Sequence, residues 1–336
     1  MDEPLTYVRA VHFAATLLVA GTAFFLVLVA APALRGADAD RAAGLRRLLI
    51  RTAWLALTLA ILSGIAWFAL VAASMSGERI ADLFTDGTAW TVLTQTEFGN
   101  GWFVRLLIAG ALAAALAGAR HQDARIRDAG IRDAEGRGMA GLTLVTLAAA
   151  FAGALAWAGH AVGAEGVEGV LHPAADALHL VAAAAWVGML MPLLLLLGAF
   201  SGDVTAVAVV RRAVLRFSVL GAAAVGTLIL TGAVNTWYLA GSVTALTQTD
   251  YGRLLLIKMA LLLVMIAAAC ANRFLFTPRL EIGAGAGAAA TALRRLHHGV
   301  MIEIAAGTAI LVIVAFLGTT PPGLHLHHHE AATAAF

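Results

Sequence analysis

Residues 157–188 read WAGHAVGAEGVEGVLHPAADALHLVAAAAWVG, and the apolar run that opens at Pro173 continues to Phe200. Two long apolar segments thus flank one short loop. About 20 helical residues cross a hydrocarbon core of ~30 Å, and the run from Pro173 exceeds that. Its Ala, Leu and Val follow one another without the period-2 alternation of a barrel strand, and an open chain in lipid satisfies its backbone only as a helix. Working outward, segments of the same kind lie near 5–31, 46–73, 101–119, 139–160, 173–200, 213–240, 252–276 and 297–318. The 336 residues are 61% hydrophobic and 12% charged, far from the balance of a soluble domain. The chain is read as an all-α integral membrane protein of eight transmembrane helices, one membrane domain over residues 1–336.

Met1-Asp2-Glu3-Pro4 lacks the basic region that begins a secretory signal, so the first apolar run is expected to be a true span. Arginines collect after spans one, three, five and seven, as at Arg46, Arg125, Arg211 and Arg279, whereas the alternate loops carry Glu78, Asp82, Glu165 and Asp250. The positive-inside rule then puts both termini in the periplasm. This topology accounts for the excess of basic residues, and no nucleic-acid partner is expected. The loop 74–100 is the one long outer connection, with Trp90 and Trp102 expected at the membrane interface. The single cysteine, Cys270, excludes a disulfide framework and is expected to pack in a helix interface.

The chain also resembles itself. Leu93-Thr-Gln-Thr-Glu-Phe-Gly99 recurs as Leu246-Thr-Gln-Thr-Asp-Tyr-Gly252, with Arg105 and Lys258 six residues beyond each glycine. His12 stands nine residues before Gly21, and His179 nine before Gly188; Ser63-Gly64 is matched by Thr231-Gly232. Two tandem four-helix halves are expected, 1–163 and 170–320, and an even number of spans per half makes them parallel. A His-rich periplasmic tail, 321–336, follows.

Within the opening stretch, a helix starting at Pro173 puts His172, Asp176 and His179 at i, i+4 and i+7, within roughly 60° on one stripe. His160 closes the preceding span and returns to the same end. Imidazoles with a carboxylate suit Cu(II), Zn(II) or Ni(II), and copper binds most tightly in that series. The competing reading makes the histidines interfacial caps and pairs Asp176 with Lys258, because a charge at mid-bilayer costs roughly 2.5–3.5 kcal/mol without a partner. His12 and His179, at matching depths, suit either a metal or the two axial positions of a haem. Arg105 and Lys258 are candidates for ligation, for ion pairs with Glu97 and Asp250, or for snorkelling to the interface. Glu303, inside the last apolar run, is a candidate exit site or proton relay. His325, His327, His328 and His329 form a candidate metal-capture tract. No GxxxxGK[ST] loop is present, so ATP is not an expected partner.

Several of these stretches resemble the copper resistance protein D family (CopD, PcoD). The most specific are Arg216-Phe-Ser218, Thr231-Gly-Ala-Val-Asn235, Thr249-Asp-Tyr-Gly-Arg-Leu-Leu-Leu-Ile-Lys258 and Ala271-Asn-Arg273 through Pro278, within a signature region over 212–280. Gly159-His-Ala161, Trp186-Val-Gly188 and Gly318-Thr-Thr-Pro-Pro322 are similar to that family too. The resemblance covers essentially the whole chain. It implies a bacterial inner-membrane protein of copper import or homeostasis, with a separate periplasmic CopC-like copper-binding partner. A narrower likeness, His179-x6-Trp186-x-Gly188 with Lys258, resembles HemJ-type protoporphyrinogen oxidases and implies haem b, with His12, His179 and Lys258 as candidate ligands.

The expected function is therefore copper handling, Cu(I) or Cu(II), received at His160, His172, Asp176 and His179 with His12 as a further metal candidate. This reading makes the chain a transporter rather than an enzyme. The alternatives are a haem-binding membrane redox protein and a metal-binding sensor or assembly factor without transport.

Overall fold

The computed structural model describes residues 2–129, 134–158, 168–200, 204–240, 247, 249–280 and 286–319. His160 and the four tail histidines lie outside the described residues. Among those described there are helices and turns and no strand: α1 (Asp2–Phe24), α2 (Ala39–Ser76), α3 (Thr88–Gln95), α4 (Glu97–Ala129), α5 (Ala134–Gly153), α6 (Glu168–Ala199), α7 (Val204–Ala240), α8 (Asp250–Cys270) and α9 (Ala286–Leu317). All but α3 belong to segments long and apolar enough to cross a membrane, eight in all.

Local chemistry sets many of the helix ends. Asp38 caps α2 by accepting the Arg41 amide at 2.9 Å, and Gly77 ends it in the left-handed region, φ 75°. Thr96 and Thr249 cap α4 and α8 in the same way, each hydroxyl accepting the amide of the glycine three residues on, Gly99 at 2.9 Å and Gly252 at 3.0 Å. After Phe24 the first span runs on through a π-helical turn, Phe25–Ala30, into Ala31–Ala33. There Pro32 withholds the amide that would continue the α ladder.

α1 and α6 form the centre: α1 packs against α2, α5, α6 and α9, and α6 also against α5, α7 and α9. α1 is the most enclosed span, and α8, resting on α9, is the least. With lipid on the outside, helices associate through close packing of small residues rather than through hydrophobic exclusion. The α1–α6 crossing shows this at its limit. A Cβ on Gly21 would collide with the backbone of Gly188, and one on Gly188 would strike the Leu17 carbonyl. Around the crossing, Ala15, Ala20, Ala23 and Ala184 are buried.

Three expectations are corrected, and Trp102 is placed more closely. Helix α6 starts at Glu168, more than a turn before Pro173, so the proline lies inside the helix and the whole His172–His179 stripe is helical. Trp102 is buried within the protein at 5% exposure, because α4 begins at Glu97 and carries the indole inward, while Trp90 on α3 stays exposed. The loop 74–100 is partly helical, α3 packing Val92 against Leu83, Ala72 and Ala73. Cys270 is exposed instead of packed, since α8 turns most of its surface outward.

Substituting Gly188 by alanine must separate the two central helices, and overpacking of this kind costs about 1–3 kcal/mol. Gly110, whose added Cβ would meet nothing within 4 Å, provides the control. Thermal or denaturant unfolding of the purified protein in detergent should show Gly188→Ala destabilised and Gly110→Ala unchanged. Equal behaviour of the two would reject the crossing.

Candidate functional site

Two histidine centres flank the α1–α6 crossing, one on each helix, the first fully buried and the second half-buried. In the first, His12 is 1% exposed, its Nδ1 3.1 Å from Ser63 Oγ on α2 and its Nε2 3.0 Å from an Arg105 terminal nitrogen on α4. The partners fix the tautomer. A guanidinium only donates, so Nε2 accepts, and the proton resides on Nδ1 and is donated to Ser63 Oγ. Ser63 in turn donates to the Leu59 carbonyl at 2.6 Å. Arg105 also donates to the Phe151 carbonyl at 2.9 Å and lies over the Trp102 and Phe151 rings. Trp67 and Trp102 enclose the imidazole, with centroids 5.4 and 5.3 Å away. Gly64 makes room, since a side chain there would press on Trp102 and His12. Both ring nitrogens of His12 are therefore engaged, and a metal ion or haem iron at Nε2 would have to displace Arg105.

The second centre begins the same way and ends differently. His179 Nδ1 lies 2.9 Å from Thr231 Oγ1 on α7, whose own proton goes to the Thr227 carbonyl at 2.7 Å. Nδ1 is consequently the donor, and Nε2 presents a bare lone pair. No hydrogen bond to Nε2 is formed among the described residues. Asp176, one turn earlier, accepts from Asn235 Nδ2 at 3.3 Å and interacts electrostatically with His172 and Lys258. Lys258 is near enough to act on His179 as well. Orienting an imidazole through its N–H so that the other nitrogen faces an open site is how proteins prepare a metal ligand.

Corresponding positions around the two histidines carry different chemistry. Three residues before His12 stands Arg9, and three before His179 stands Asp176. Four residues after Ser63 stands Trp67, and four after Thr231 stands Asn235; three after Gly99 stands Trp102, and three after Gly252 stands Leu255. The first centre is thus aromatic and doubly cationic, the second polar with one acid and one base. Arg9 turns away from His12, donating to the Gly318 carbonyl at 2.8 Å and lying 4.9 Å over Trp67. The chain of α9 passes close there, for a Cβ on Gly318 would collide with the guanidinium.

A third polar cluster lies deeper in the bundle. Glu303 on α9 is 1% exposed and accepts from Trp186 Nε1 of α6 at 3.2 Å and from Asn272 Nδ2 at 2.8 Å. Asn272 belongs to the π-helical turn Ala271–Phe276 that follows α8, and its Oδ1 is buried without a partner. Gly299 leaves space for that amide.

Glu97 and Asp250 sit exposed in the first turns of α4 and α8, and Asp250 pairs with Arg253 at 3.4 Å. Arg105 neither snorkels nor bonds Glu97; it turns inward to His12. Among the described residues no three His, Cys, Asp or Glu side chains are gathered closely enough to hold a metal ion. Reasoning from sequence overlooked Arg9 and gave Trp67 and Asn272 no role. The available signal was an arginine inside an apolar span, three residues before a histidine.

The comparisons with known proteins concern the whole chain. A family model described as copper resistance protein D matches residues 211–317, and one described as copper resistance protein D-like, N-terminal domain, matches residues 1–170. The chain is similar to copper resistance protein D of Pseudomonas syringae pv. tomato, 33% identical over 96% of this chain and 98% of that one. It is also similar to inner membrane protein YebZ of Escherichia coli (strain K12), 30% identical over 94% and 97% of the two. No solved structure matches it.

Removing one member of the deep cluster leaves a buried acceptor unmade, at about 1–3 kcal/mol. Asn272→Leu should therefore lower the thermal stability of the purified protein by that amount. A variant as stable as the parent would show that the Asn272–Glu303 bond contributes nothing.

Proposed function

Because the chain belongs to the copper resistance protein D family, we propose that it moves copper inward across the bacterial inner membrane, taking the ion from the periplasm at the second histidine centre. It is a multi-pass inner-membrane protein, in keeping with its eight apolar helices and its similarity to an inner membrane protein of Escherichia coli. The observation that carries the reading is the bare Nε2 of His179, with Nδ1 held by Thr231. A neutral imidazole with an oriented lone pair is a ready ligand for either oxidation state of copper.

In this reading His172, Asp176 and His179 are spread along two turns of α6, about 10.5 Å at 1.5 Å per residue, and serve as successive donors, with His160 as a further one. Lys258 balances Asp176 while the site is empty, and the arriving cation takes over that role. The tail histidines, His325 and His327 to His329, concentrate copper near the entrance, and a CopC-like periplasmic protein supplies it. Farther in, Glu303 offers the next oxygen donor and the relay toward the cytoplasmic side. The periplasmic position of both termini follows from the arginine distribution. The parallel between His12–Ser63 and His179–Thr231, with sequence separations of 51 and 52, supports two tandem parallel halves.

Copper accumulation in cells expressing the protein tests the assignment. The His172→Ala/His179→Ala variant should fall to the level of cells without the protein, while Thr231→Val, which frees the imidazole to turn, should weaken copper binding about 10–100-fold. Wild-type accumulation by the double variant would exclude the site from transport. Tight binding by the wild type with no copper flux into proteoliposomes would point to a sensor or assembly factor instead.

A further inference from the structure

Arg105 stands on His12 where an incoming ion would stand on His179. Both imidazoles donate Nδ1–H to a hydroxyl that is itself tied to its own helix, so both direct Nε2 at the centre of their site. In the second centre that lone pair has no hydrogen-bond donor among the described residues. In the first it is taken by a guanidinium nitrogen at 3.0 Å. We propose that Arg105 is a tethered surrogate cation that keeps the first centre permanently filled, leaving His179 the open imidazole of the two matched centres; this rests on the metal-binding reading of His179.

Three features support the assignment. First, Arg105 is 2% exposed and has no carboxylate partner among the described residues, so its charge is balanced by the His12 lone pair, the Phe151 carbonyl and the faces of Trp102 and Phe151. These are the kinds of group that would receive a metal cation. Second, the difference between Arg105 and Lys258 follows from what stands three residues before each histidine. Asp176 attracts Lys258, whereas Arg9 supplies no acid to Arg105 and is itself engaged by the Gly318 carbonyl, so Arg105 goes to His12. Third, beside the Arg105–His12 contact lies a cavity of about 20 Å³, lined by Gly64, Ala109 and Phe151 among others. That is room for one water-sized ligand beside an imidazole once the guanidinium is gone. The rings of His12, Trp102 and Phe151 line it, and His12 is held from its other side by Ser63, so removing Arg105 uncovers an already oriented ligand.

The test is Cu(II) binding to the detergent-purified full-length chain whose four tail histidines are replaced by alanine, read as stoichiometry by titration and as imidazole-nitrogen coupling by electron paramagnetic resonance. The parent should bind one imidazole-coupled equivalent, lost in His179→Gln and kept in His12→Gln. Arg105→Met should bind a second, which disappears in Arg105→Met/His12→Gln. A folded Arg105→Met that stays at one equivalent overturns the proposal. So does any loss of copper from His12→Gln, an arm that needs no change at Arg105 and still decides the question if Arg105→Met does not fold. If binding by the parent does not depend on His179, the copper assignment of the second centre fails, and a His12-dependent gain in Arg105→Met would then stand by itself as evidence for the surrogate cation.

Discussion

Everything in this bundle is hung on the absence of two side chains. Gly21 and Gly188 let the backbones of α1 and α6 touch, a separation no residue with a Cβ permits. Because lipid competes with apolar side chains on equal terms, such close approach is among the few specific ways for membrane helices to choose partners. The contact fixes the depth of both histidines, since each lies nine residues before its glycine, two and a half turns up its helix. It also sets how far α2 and α7 stand from them, and hence where Ser63 and Thr231 can reach the imidazoles.

From that common frame the two centres diverge through a few exchanges of charge and ring. Aromatic walls and two guanidinium groups make the first an enclosed centre in which both nitrogens of the imidazole are engaged. Asp176, Asn235 and Lys258 make the second a polar centre whose imidazole Nε2 accepts no hydrogen bond among the described residues. The difference is a matter of electrostatic neutrality. Where the arginines have no acid to answer them they fall back on carbonyls, an imidazole and π faces; where an acid is supplied the lysine goes to it.

The sequence displays the spans plainly, because hydropathy is a property of the chain taken one residue at a time and the bilayer sets the length. The histidine and glycine spacings and the Ser-Gly and Thr-Gly pairs were equally visible. Partners were not. Nothing in the order of residues says that Arg105 reaches back to His12 across 93 positions, or that Arg9 crosses to Gly318. Those bonds depend on how α4 and α9 pack on α1, and this is settled by tertiary fit. That Trp102 faces the core was hidden for a related reason: a tryptophan near a helix end suits the interface by type, and only the direction of α4 shows which way the indole turns. Pro173 misled as well, since a proline that suits the first turn of a helix can also sit inside one when the surrounding turns hold it.

The bond between Asn272 and Glu303 gives α8 a polar anchor. That helix is the least enclosed of the spans, and its far end is held to the bundle at the π-helical turn and just after it, where the Asn272 amide bonds Glu303 and where Thr277 and Leu280 are buried. Lys258 rides on the same rod. The one span carries a charged side chain near Asp176 and ends at a buried amide bond, so polar groups as well as apolar packing set its place in the bundle.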